Sequence, residues 1–388
     1  MPCNSFRMLR IILLISFCCF FVLTGQELTH WVIELQVPAN TPENADIYIA
    51  GNFNGWDPGN ENYKFSDRGD KLYYLDLYIP QGKVRFKFTL GDWSLVEVDT
   101  NGYDINNREE FLIDGQMKNK YSVEEWKVPN HTQSIVGDVR VIEDFNIPQL
   151  NRQRRIWIYL PPGYESSKKR YPVLYMHDGQ NLFSDSTSFS GEWGIDETLE
   201  RMIAHKEIRP MIVVAVDNSK YRLSEYSPFD FEYKGIHKGE AAYYAQFIVE
   251  TLKPYIDENF RTKRGRKYTA VSGSSMGGLL SVYMAVKYQD VFSKVGALSS
   301  AFGVCLDDLV DFIEQHPKHK PIRFWLDLGS SEGMEMEYDV NQEPVIRALI
   351  EAGWKKDKEV KFTLYEGARH HERYWRERFN EVLLFLFK

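Results

Sequence analysis

The chain has 388 residues, enough for two domains with separate hydrophobic cores. Hydrophobic residues make up 43% and charged residues 26% of it, values typical of soluble globular proteins. The net charge of −8 argues against nucleic acid as the main partner, because binding phosphates requires a basic face.

The first residues have the layout of an export signal. Arg7 and Arg10 precede the apolar run 11–23, and polar residues follow from Gln26. This pattern predicts a signal peptide over residues 1–25, and the run is too short to cross a bilayer comfortably. We therefore expect a secreted or periplasmic protein with no stable membrane insertion after cleavage; a retained signal anchor is the alternative.

Cysteine and histidine usage predicts neither a disulfide nor a metal site. Three of the four cysteines lie in the signal segment, so the mature chain keeps only Cys305 and must rely on its core. The cluster 370–372, His-His-Glu, has metal-binding atoms, but neighbours in sequence rarely converge on one ion. We expect no metal and no cofactor.

Residues 26–122 carry the pattern of an all-β domain. Short alternating runs are separated by turn residues, and the loop 52–59 exposes an aromatic residue. These features predict an N-terminal immunoglobulin-like β-sandwich. The predicted strands are Trp31–Val37, Asp46–Ala50, Leu72–Ile79 and Val84–Leu90.

After a predicted linker over 123–136, which contains the sequon Asn130-His-Thr, the pattern changes. Apolar runs alternate with helical stretches such as Ala241–Phe260, which predicts an α/β domain over 137–388 with helices on both faces of its sheet. Its ligand site should lie at the carboxyl ends of the strands. The predicted strands are Arg155–Leu160, Pro172–Met176, Met211–Val216, Tyr268–Val271, Lys294–Ser299, Arg323–Leu328 and Val360–Tyr365.

One strand leads into a Gly-x-Ser-x-Gly turn, 273–277, and an apolar helical pattern leaves it. This is the layout of a nucleophile elbow of an α/β-hydrolase, with Ser275 as the candidate nucleophile. A second match, 329–333, is followed by no helical apolar face that could pack on a sheet. Context therefore favours Ser275 over Ser331.

The base and the acid should follow the nucleophile in the chain. His370 is the preferred base because small residues before it let its loop fold back over the site, and His371 is the alternative. Glu332 is the preferred acid because it lies in a loop, and Asp327, at the end of a strand, is the alternative. The acid would hold the tautomer of the imidazole.

Two backbone N–H groups are needed to stabilise the oxyanion. Met276 follows the nucleophile directly, and Gln180 follows Gly179 in the loop after an earlier strand. Between that strand and Gly179, His177 and Asp178 are interpreted as residues that shape the loop.

Residues 137–388 resemble the esterase family that includes enterochelin-type siderophore esterases, feruloyl esterases and S-formylglutathione hydrolases. The resemblance implies Ser275 as nucleophile, His370 as base and an acid at Glu332, where many members carry Asp. It also suggests substrate contacts by Trp193 and by Arg222, which would suit an anionic substrate; a salt bridge from Arg222 to Glu225 is the alternative. The matching segments are His177-Asp-Gly-Gln-Asn-Leu-Phe, Trp193-Gly-Ile-Asp-Glu, Asp217-Asn218 to Glu225-Tyr-Ser-Pro, Gly273-Ser-Ser-Met-Gly-Gly and Glu366-Gly-x-x-His.

The front domain resembles family-20, starch-binding carbohydrate-binding modules, through its Ala50-Gly-Asn segment and Trp-Asp-Pro loop. The resemblance implies sugar contacts by Trp56, Lys87 and Asn107. The family's second tryptophan falls near Val98, which offers no stacking face, so any α-glucan binding should be weak.

The sequence thus predicts a secreted serine carboxylic-ester hydrolase that acts through an acyl-enzyme, on an acylated carbohydrate or a similar ester. A siderophore trilactone esterase is the alternative within the fold. A glycan-binding protein without catalytic activity is the alternative from another class, and the presence of all three triad residue types argues against it.

Overall fold

The computed structural model describes residues 27–100, 102, 105–127, 134–188, 191–233, 235–333 and 338–388, without the side chains of 338 and 339. The predicted signal peptide and the sequon at Asn130 lie outside these residues. The chain divides into two compact units, and the main division falls between Trp126 and Lys127.

The first unit is a β-sandwich, as predicted. One sheet has the strand order β3-β4-β1-β8, a second has β2-β5-β7, and β6 pairs with β9. Apolar side chains from both larger sheets, among them Trp31, Leu75 and Phe86, form one buried core. The strands are β1 Leu28–Gln36, β2 Tyr48–Gly51, β3 Ser66–Asp67, β4 Leu72–Pro80, β5 Gly82–Thr89, β6 Glu97–Val98, β7 Arg108–Leu112, β8 Gln116–Ser122 and β9 Glu125–Trp126.

The sandwich extends four residues beyond the predicted boundary at 122. The cause is Trp126, whose indole Nε1 donates a hydrogen bond of 2.8 Å to Thr41 Oγ1 and whose ring is 6% exposed. Burying this large aromatic ties β9 to the first unit. The segment predicted as linker therefore begins inside the sandwich.

The described residues of the second unit form an eight-stranded sheet with the order β10-β11-β13-β12-β16-β17-β18-β19. The pairs β10–β11 and β11–β13 are antiparallel, and the remaining pairs are parallel. Strands β14 and β15 form a separate small hairpin. The strands are β10 Asp138–Ile147, β11 Arg152–Leu160, β12 Val173–His177, β13 Ile212–Val216, β14 Phe231–Glu232, β15 Ile236–His237, β16 Thr269–Ser274, β17 Lys294–Leu298, β18 Arg323–Gly329 and β19 Val360–Tyr365.

Helices cover both faces of this sheet, because successive strand side chains point to opposite faces. In β12, Val173 and Tyr175 join one core, whereas Leu174 and Met176 join the other. Helices α1 and α8 pack on the second core, and the longer remaining helices pack on the first. The helices are α1 Ile195–Ala204, α2 Arg222–Tyr226, α3 Ala241–Gln246, α4 Lys253–Asn259, α5 Met276–Lys287, α6 Leu306–Gln315, α7 Glu343–Glu351 and α8 Glu372–Phe387.

Two features of the second unit differ from the sequence prediction. The antiparallel edge strand β10 was not predicted; its side chains are mostly half-buried or exposed, so its apolar pattern is weak. The predicted helix Ala241–Phe260 contains a π-helical segment, Phe247–Leu252, between α3 and α4. Across the described residues, we find no helix with the length and apolar character required to span a membrane.

Candidate functional site

The nucleophile elbow connects β16 to α5 at the carboxyl edge of the sheet. Ser275 has φ 56° and ψ −124°, a strained conformation for a residue with a side chain. A Cβ on Gly273 would lie 2.9 Å from the backbone of Gly277, so only glycine lets the helix start so close to the strand. Ser275 N–H donates to the Leu298 carbonyl at 2.9 Å, which fixes the turn against β17. The backbone is therefore that of a nucleophile elbow.

The structure brings the preferred acid and base together. His370 Nδ1 lies 2.9 Å from Glu332 Oε2, and the Glu332 side chain is 1% exposed, whereas that of His370 is 32% exposed. The His370 ring stands edge-on to Trp375, with 5.1 Å between ring centroids. This arrangement fixes Nδ1 by its contact with the carboxylate and leaves Nε2 as the nitrogen for a reacting group.

The other carboxylate oxygen of Glu332 is also fixed by hydrogen bonds. Oε1 accepts hydrogen bonds from Ser299 Oγ and from Gly329 N–H, both at 2.6 Å. Burial acts to raise the pKa of Glu332, but the hydrogen bonds from His370, Ser299 and Gly329 outweigh it and keep the pKa below its usual value. Glu332 is therefore ionised at neutral pH.

Asp327, the alternative acid, has a different set of partners. Its carboxylate accepts bonds from Arg378 at 2.7 Å, from Trp325 Nε1 at 2.8 Å and from Ser299 N–H at 3.2 Å. Burial raises the pKa of Asp327 to about 6, opposed by Arg378. None of these contacts involves a histidine, and the residue holds Arg378 beneath the site.

The alternative base is used to start a helix. His371 is the N-cap of α8, and its Nδ1 accepts a hydrogen bond from Arg373 N–H at 3.2 Å. The second Gly-x-Ser-x-Gly match also has a structural place, because 329–333 is the loop that carries Glu332. The local sequence pattern had left His371 open as an alternative to His370, and Asp327 as an alternative to Glu332.

The loop after β12 carries the second oxyanion candidate, Gln180. Within this loop, Asn181 N–H donates to the Asp178 carbonyl and Leu182 N–H donates to the Gly179 carbonyl. Neither of these two hydrogen bonds uses Gln180 N–H. Met276 is the first residue of α5, and its N–H has no partner within that helix. Strands β12 and β16 are neighbours, which brings both loops to one part of the carboxyl edge.

An ion pair fixes the conformation of this loop. Asp178 has φ 59°, unusual for a residue other than glycine, and its carboxylate receives Arg222 Nε at 2.7 Å and the Arg222 terminal nitrogen at 2.9 Å. Asn218 Nδ2 also donates to Asp178, and Asn218 N–H donates to the Gln180 side chain. Burial acts to raise the pKa of Asp178, but Arg222 outweighs it and lowers the pKa. The pair thus stabilises the strained turn from which Gln180 N–H projects.

The alternative prediction for Arg222, a salt bridge to Glu225, needs correction. Its bidentate partner is Asp178, so its charge is engaged within the protein. Its expected partner, Glu225, instead receives Arg152 and Arg154. Sequence separation caused the error, because Glu225 is only three residues away on the same short helix, whereas Asp178 is 44 residues distant.

Trp193, the other residue predicted to contact substrate, lies in the core. Its side chain is 3% exposed and packs against Trp375 and Phe379, with ring centroids 5.6 Å away in both cases. Trp193 N–H donates to the Asn181 carbonyl at 2.9 Å. The residue therefore joins the Gln180 loop to helix α8 through the core.

His177 lies directly beneath the elbow. Its ring is 2% exposed and packs between Tyr226 and Tyr244. Burial, helped by the charge of Arg222, lowers the pKa of His177 to about 4, so the ring is neutral at physiological pH. Within the described part of the chain, no group of His, Cys, Asp or Glu side chains is arranged to hold a metal ion.

The sequence did not identify Ser299 and Arg378 as part of the site. Ser299 Oγ accepts bonds from Trp375 Nε1 at 2.8 Å and from Arg378 at 2.6 Å, and it donates to Glu332. One signal was available: Arg378 falls within the apolar stripe of α8, between Trp375 and Val382. A charged residue on a buried helix face implies a buried partner.

In the first unit, the three residues of the predicted sugar site come from the sheet β2-β5-β7. Trp56 is half-buried in the loop after β2, and its N–H donates to the Gly51 carbonyl at 2.9 Å. Lys87 pairs with Ala50 of β2 and donates through Nζ to the Ile105 carbonyl. Asn107 is exposed and directly precedes β7, whose first residue pairs with β5. Val98, at the position of the missing tryptophan, is 1% exposed.

The fold and the site together define an α/β-hydrolase of the serine esterase class. The chain belongs to the Putative esterase family, whose model matches residues 147–386. The first unit lies outside that match.

Several known proteins are similar to this chain. The chain is 26% identical over 250 residues to YbbA of Bacillus subtilis, covering 60% of this chain and 92% of YbbA. It is 29% identical over 235 residues to an endo-1,4-beta-xylanase/feruloyl esterase of Xylanibacter ruminicola, covering 60% of this chain and 29% of that protein. A solved structure of the Shigella flexneri enterobactin esterase covers 92% of both chains, with a TM-score of 0.55 and 12% identity, which supports the shared fold.

We predict that substitution of Glu332 mainly lowers the catalytic rate, whereas substitution of Asp327 mainly lowers the stability of the fold. Glu332→Gln should lower kcat by about 10³–10⁴-fold, with little loss of thermal stability, because the amide no longer selects and stabilises the imidazolium. Asp327→Asn should instead lower the stability by about 3 kcal/mol, because it leaves Arg378 buried without its charged partner. Ester hydrolysis kinetics and thermal melts of the two variants measure this contrast. A larger kcat loss in Asp327→Asn than in Glu332→Gln would contradict the assignment.

We predict that Arg222 acts on the oxyanion loop and not on substrate charge. Arg222→Ala should lower kcat by about 10–100-fold, below the loss from removing an oxyanion donor outright, because Gln180 N–H is only displaced. The loss should be equal for a neutral and an anionic ester, and Arg222→Lys should restore part of it. Arg347→Ala, which removes an exposed arginine of α7, is the control. A loss confined to the anionic ester would restore the substrate-binding interpretation.

Proposed function

We propose that this protein hydrolyses carboxylic esters through an acyl-enzyme formed on Ser275. The single observation that carries the proposal is the 2.9 Å contact between His370 Nδ1 and the buried Glu332 carboxylate, at the same sheet edge as a strained serine elbow. The contact holds the imidazole in one tautomer and leaves Nε2 to accept a proton. Membership of the esterase family supports the same chemistry.

In the proposed mechanism, His370 Nε2 takes the proton from Ser275 Oγ as this oxygen attacks the ester carbonyl. The N–H groups of Met276 and Gln180 stabilise the oxyanion that forms. The imidazolium, stabilised by Glu332, then gives its proton to the departing alcohol. Water, deprotonated by His370, attacks the acyl-enzyme, releases the acid and regenerates Ser275. Every proton that moves is carried by His370, and none of these steps uses a cofactor.

For the substrate class, we propose an acylated carbohydrate. Two relatives support this. One is the xylanase/feruloyl esterase of Xylanibacter ruminicola. The other is an alpha-amylase of Niallia circulans that is 33% identical over 108 residues, covering 27% of this chain and 8% of the amylase. Both names refer to enzymes that act on polysaccharides, which fits the starch-binding resemblance of the first unit.

A siderophore trilactone is the second candidate substrate. The observation that favours it is the similarity of overall architecture to the enterobactin esterase, which spans 92% of this chain. At 12% identity this similarity concerns the fold. The sequence identity of the feruloyl esterase relative is higher, at 29%, which is why the acylated carbohydrate is preferred.

We also propose that residues 1–25 direct export and that the mature protein is secreted or periplasmic. The charged and apolar pattern of this segment supports the proposal. Protein recovered from outside the cytoplasm should begin near Gln26; an N-terminus at Met1 would indicate a retained segment.

We predict that hydrolysis depends on Ser275 and is most efficient on a sugar ester. In a panel of p-nitrophenyl acetate, feruloyl-arabinoxylan oligosaccharides, acetylated xylan and a catecholate trilactone, kcat/KM should be highest for a sugar ester. Ser275→Ala should lower kcat by at least about 10³-fold on every active ester, since the nucleophile is absent.

Ser331→Ala, in the second Gly-x-Ser-x-Gly match, is the matched control and should keep most of its activity. A folded Ser275→Ala protein with near-wild-type turnover would contradict the mechanism. Preferred hydrolysis of the trilactone would contradict only the proposed substrate class.

We predict that the first unit binds α-glucan weakly through Trp56. One aromatic platform supports only a loose hold, because the gain from stacking is offset by the desolvation of polar groups. The full chain should be retarded in an affinity gel containing soluble starch. Trp56→Ala should remove the retardation, whereas Tyr78→Ala, which removes an exposed aromatic of β4, should keep it. Equal migration with and without starch would show that the first unit does not bind this glucan.

A further inference from the structure

A basic cleft opens at the amino edge of the sheet in the second unit, opposite the esterase site. Its volume is about 920 Å³. Lys294 and Arg323, the first residues of β17 and β18, line it together with Tyr268, which directly precedes β16. Strand β16 is six residues long, so this cleft lies roughly 20 Å from the elbow along the strand. A ligand in the cleft would leave Ser275 accessible.

The cleft concentrates positive charge in a chain whose net charge is −8. Among the described residues that line it, no Asp or Glu occurs. Six of its cations are Arg170, Lys263, Arg266, Lys267, Lys294 and Arg323.

These cations are not neutralised by the protein. Arg266 donates to the carbonyls of Gln289 and Pro321, and Arg323 donates to the Phe385 carbonyl. Lys294 donates to the Lys267 carbonyl. Within the described residues, none of the six cations forms an ion pair with a carboxylate, and the acid that acts on Arg266, Asp290, itself contacts His319 and Lys320.

Elsewhere in this unit, three buried or half-buried arginines have carboxylate partners. Arg222 pairs with Asp178, Arg378 with Asp327, and Arg154 with Glu225. Like charges brought together without counter-charges repel one another and lower the stability of the fold. A cluster that is left unpaired in an acidic protein is therefore suited to a charge supplied by a ligand.

We propose that this cleft binds a compact polyanion, a molecule that carries several phosphate or carboxylate groups within a few ångströms of one another. The cations lie around a concave surface and not along a flat face, which favours a small, multiply charged ligand over an extended surface. Rings and prolines, including Tyr268 and Pro172, form the walls between the cations. The proposal is independent of the esterase mechanism, because it concerns the other edge of the sheet.

Lys294 gives the binding a specific signature. Burial, together with the neighbouring Arg323 and Arg266, lowers the pKa of Lys294 to about 8. A bound anion favours the charged ammonium and raises this pKa. Binding at pH 8 should therefore take up about half a proton per site, detectable as a dependence of the calorimetric heat on the ionisation enthalpy of the buffer.

The test is titration calorimetry of the full chain with inorganic tripolyphosphate, and separately with trigalacturonate and with orthophosphate. Tripolyphosphate, trigalacturonate or both should bind more tightly than orthophosphate, and the affinity should fall several-fold as salt screens the charges. Lys263→Gln combined with Lys267→Gln should weaken binding by about tenfold or more, and the corresponding double Arg variant should retain it. The matched control is Lys356→Gln combined with Lys358→Gln, two exposed lysines that do not line the cleft.

The glutamine variant should melt at or above the wild-type temperature, because it removes repulsion, so loss of binding cannot be attributed to unfolding. Binding of either polyanion with the expected variant pattern supports the proposal and identifies the charged group. Absence of binding at low salt overturns it, as does equal binding by the glutamine variant. Binding to phosphatidylglycerol vesicles without binding of either polyanion also overturns it, in favour of a membrane surface.

Discussion

The site depends on one buried positive charge, that of Arg378. Its guanidinium is 2.7 Å from Asp327 and 3.6 Å from Glu332, and the residue is only 3% exposed. Two carboxylates this close and this deeply buried would repel each other and favour protonation. Arg378 offsets that cost for Asp327, whose pKa it lowers, whereas Glu332 is kept a carboxylate by its hydrogen bonds from His370, Ser299 and Gly329. Because Arg378 is part of α8 and His370 precedes this helix, the packing of α8 sets the charge and the base together.

Three strained backbone positions in the second unit lie where three neighbouring strands end. Asp178 follows β12, Ser275 follows β16 and Ser299 follows β17, with φ values of 59°, 56° and 44°. Each such conformation costs about 1–3 kcal/mol and persists only where surrounding contacts enforce it. Arg222 holds the first, and the third is held by bonds to Asp327 and Glu332. The three positions carry the oxyanion loop, the elbow and the support of the acid.

The two edges of the sheet contrast electrostatically. At the carboxyl edge, Asp178 with Arg222 and Asp327 with Arg378 form ion pairs whose members come from different elements, and such pairs fix the positions of the loops. At the amino edge, the described residues that line the cleft bring cations together without Asp or Glu side chains. The net charge of −8 therefore gives no sign of a local excess of positive charge. That excess arises only because six separate chain segments meet at this cleft in the folded protein.

The sequence by itself determined the sandwich, the alternating α/β domain and the position of the elbow. These follow from periodicity and from glycine sterics, which act over a few residues. It also placed Glu332 and His370 in loops after successive strands, but it left Asp327 and His371 as alternatives, because neighbours in sequence share the same local pattern.

Only the tertiary structure decided which side chains contact each other in the site. The partner of His370 is 38 residues away and that of Arg222 is 44 residues away, so both contacts depend on the order of strands in the sheet. The same long-range packing buried Trp193, gave Ser299 its role and placed Arg378 between two carboxylates. Burial and charge pairing are properties of the assembled sheet and its helices, and no local pattern in the chain specifies them.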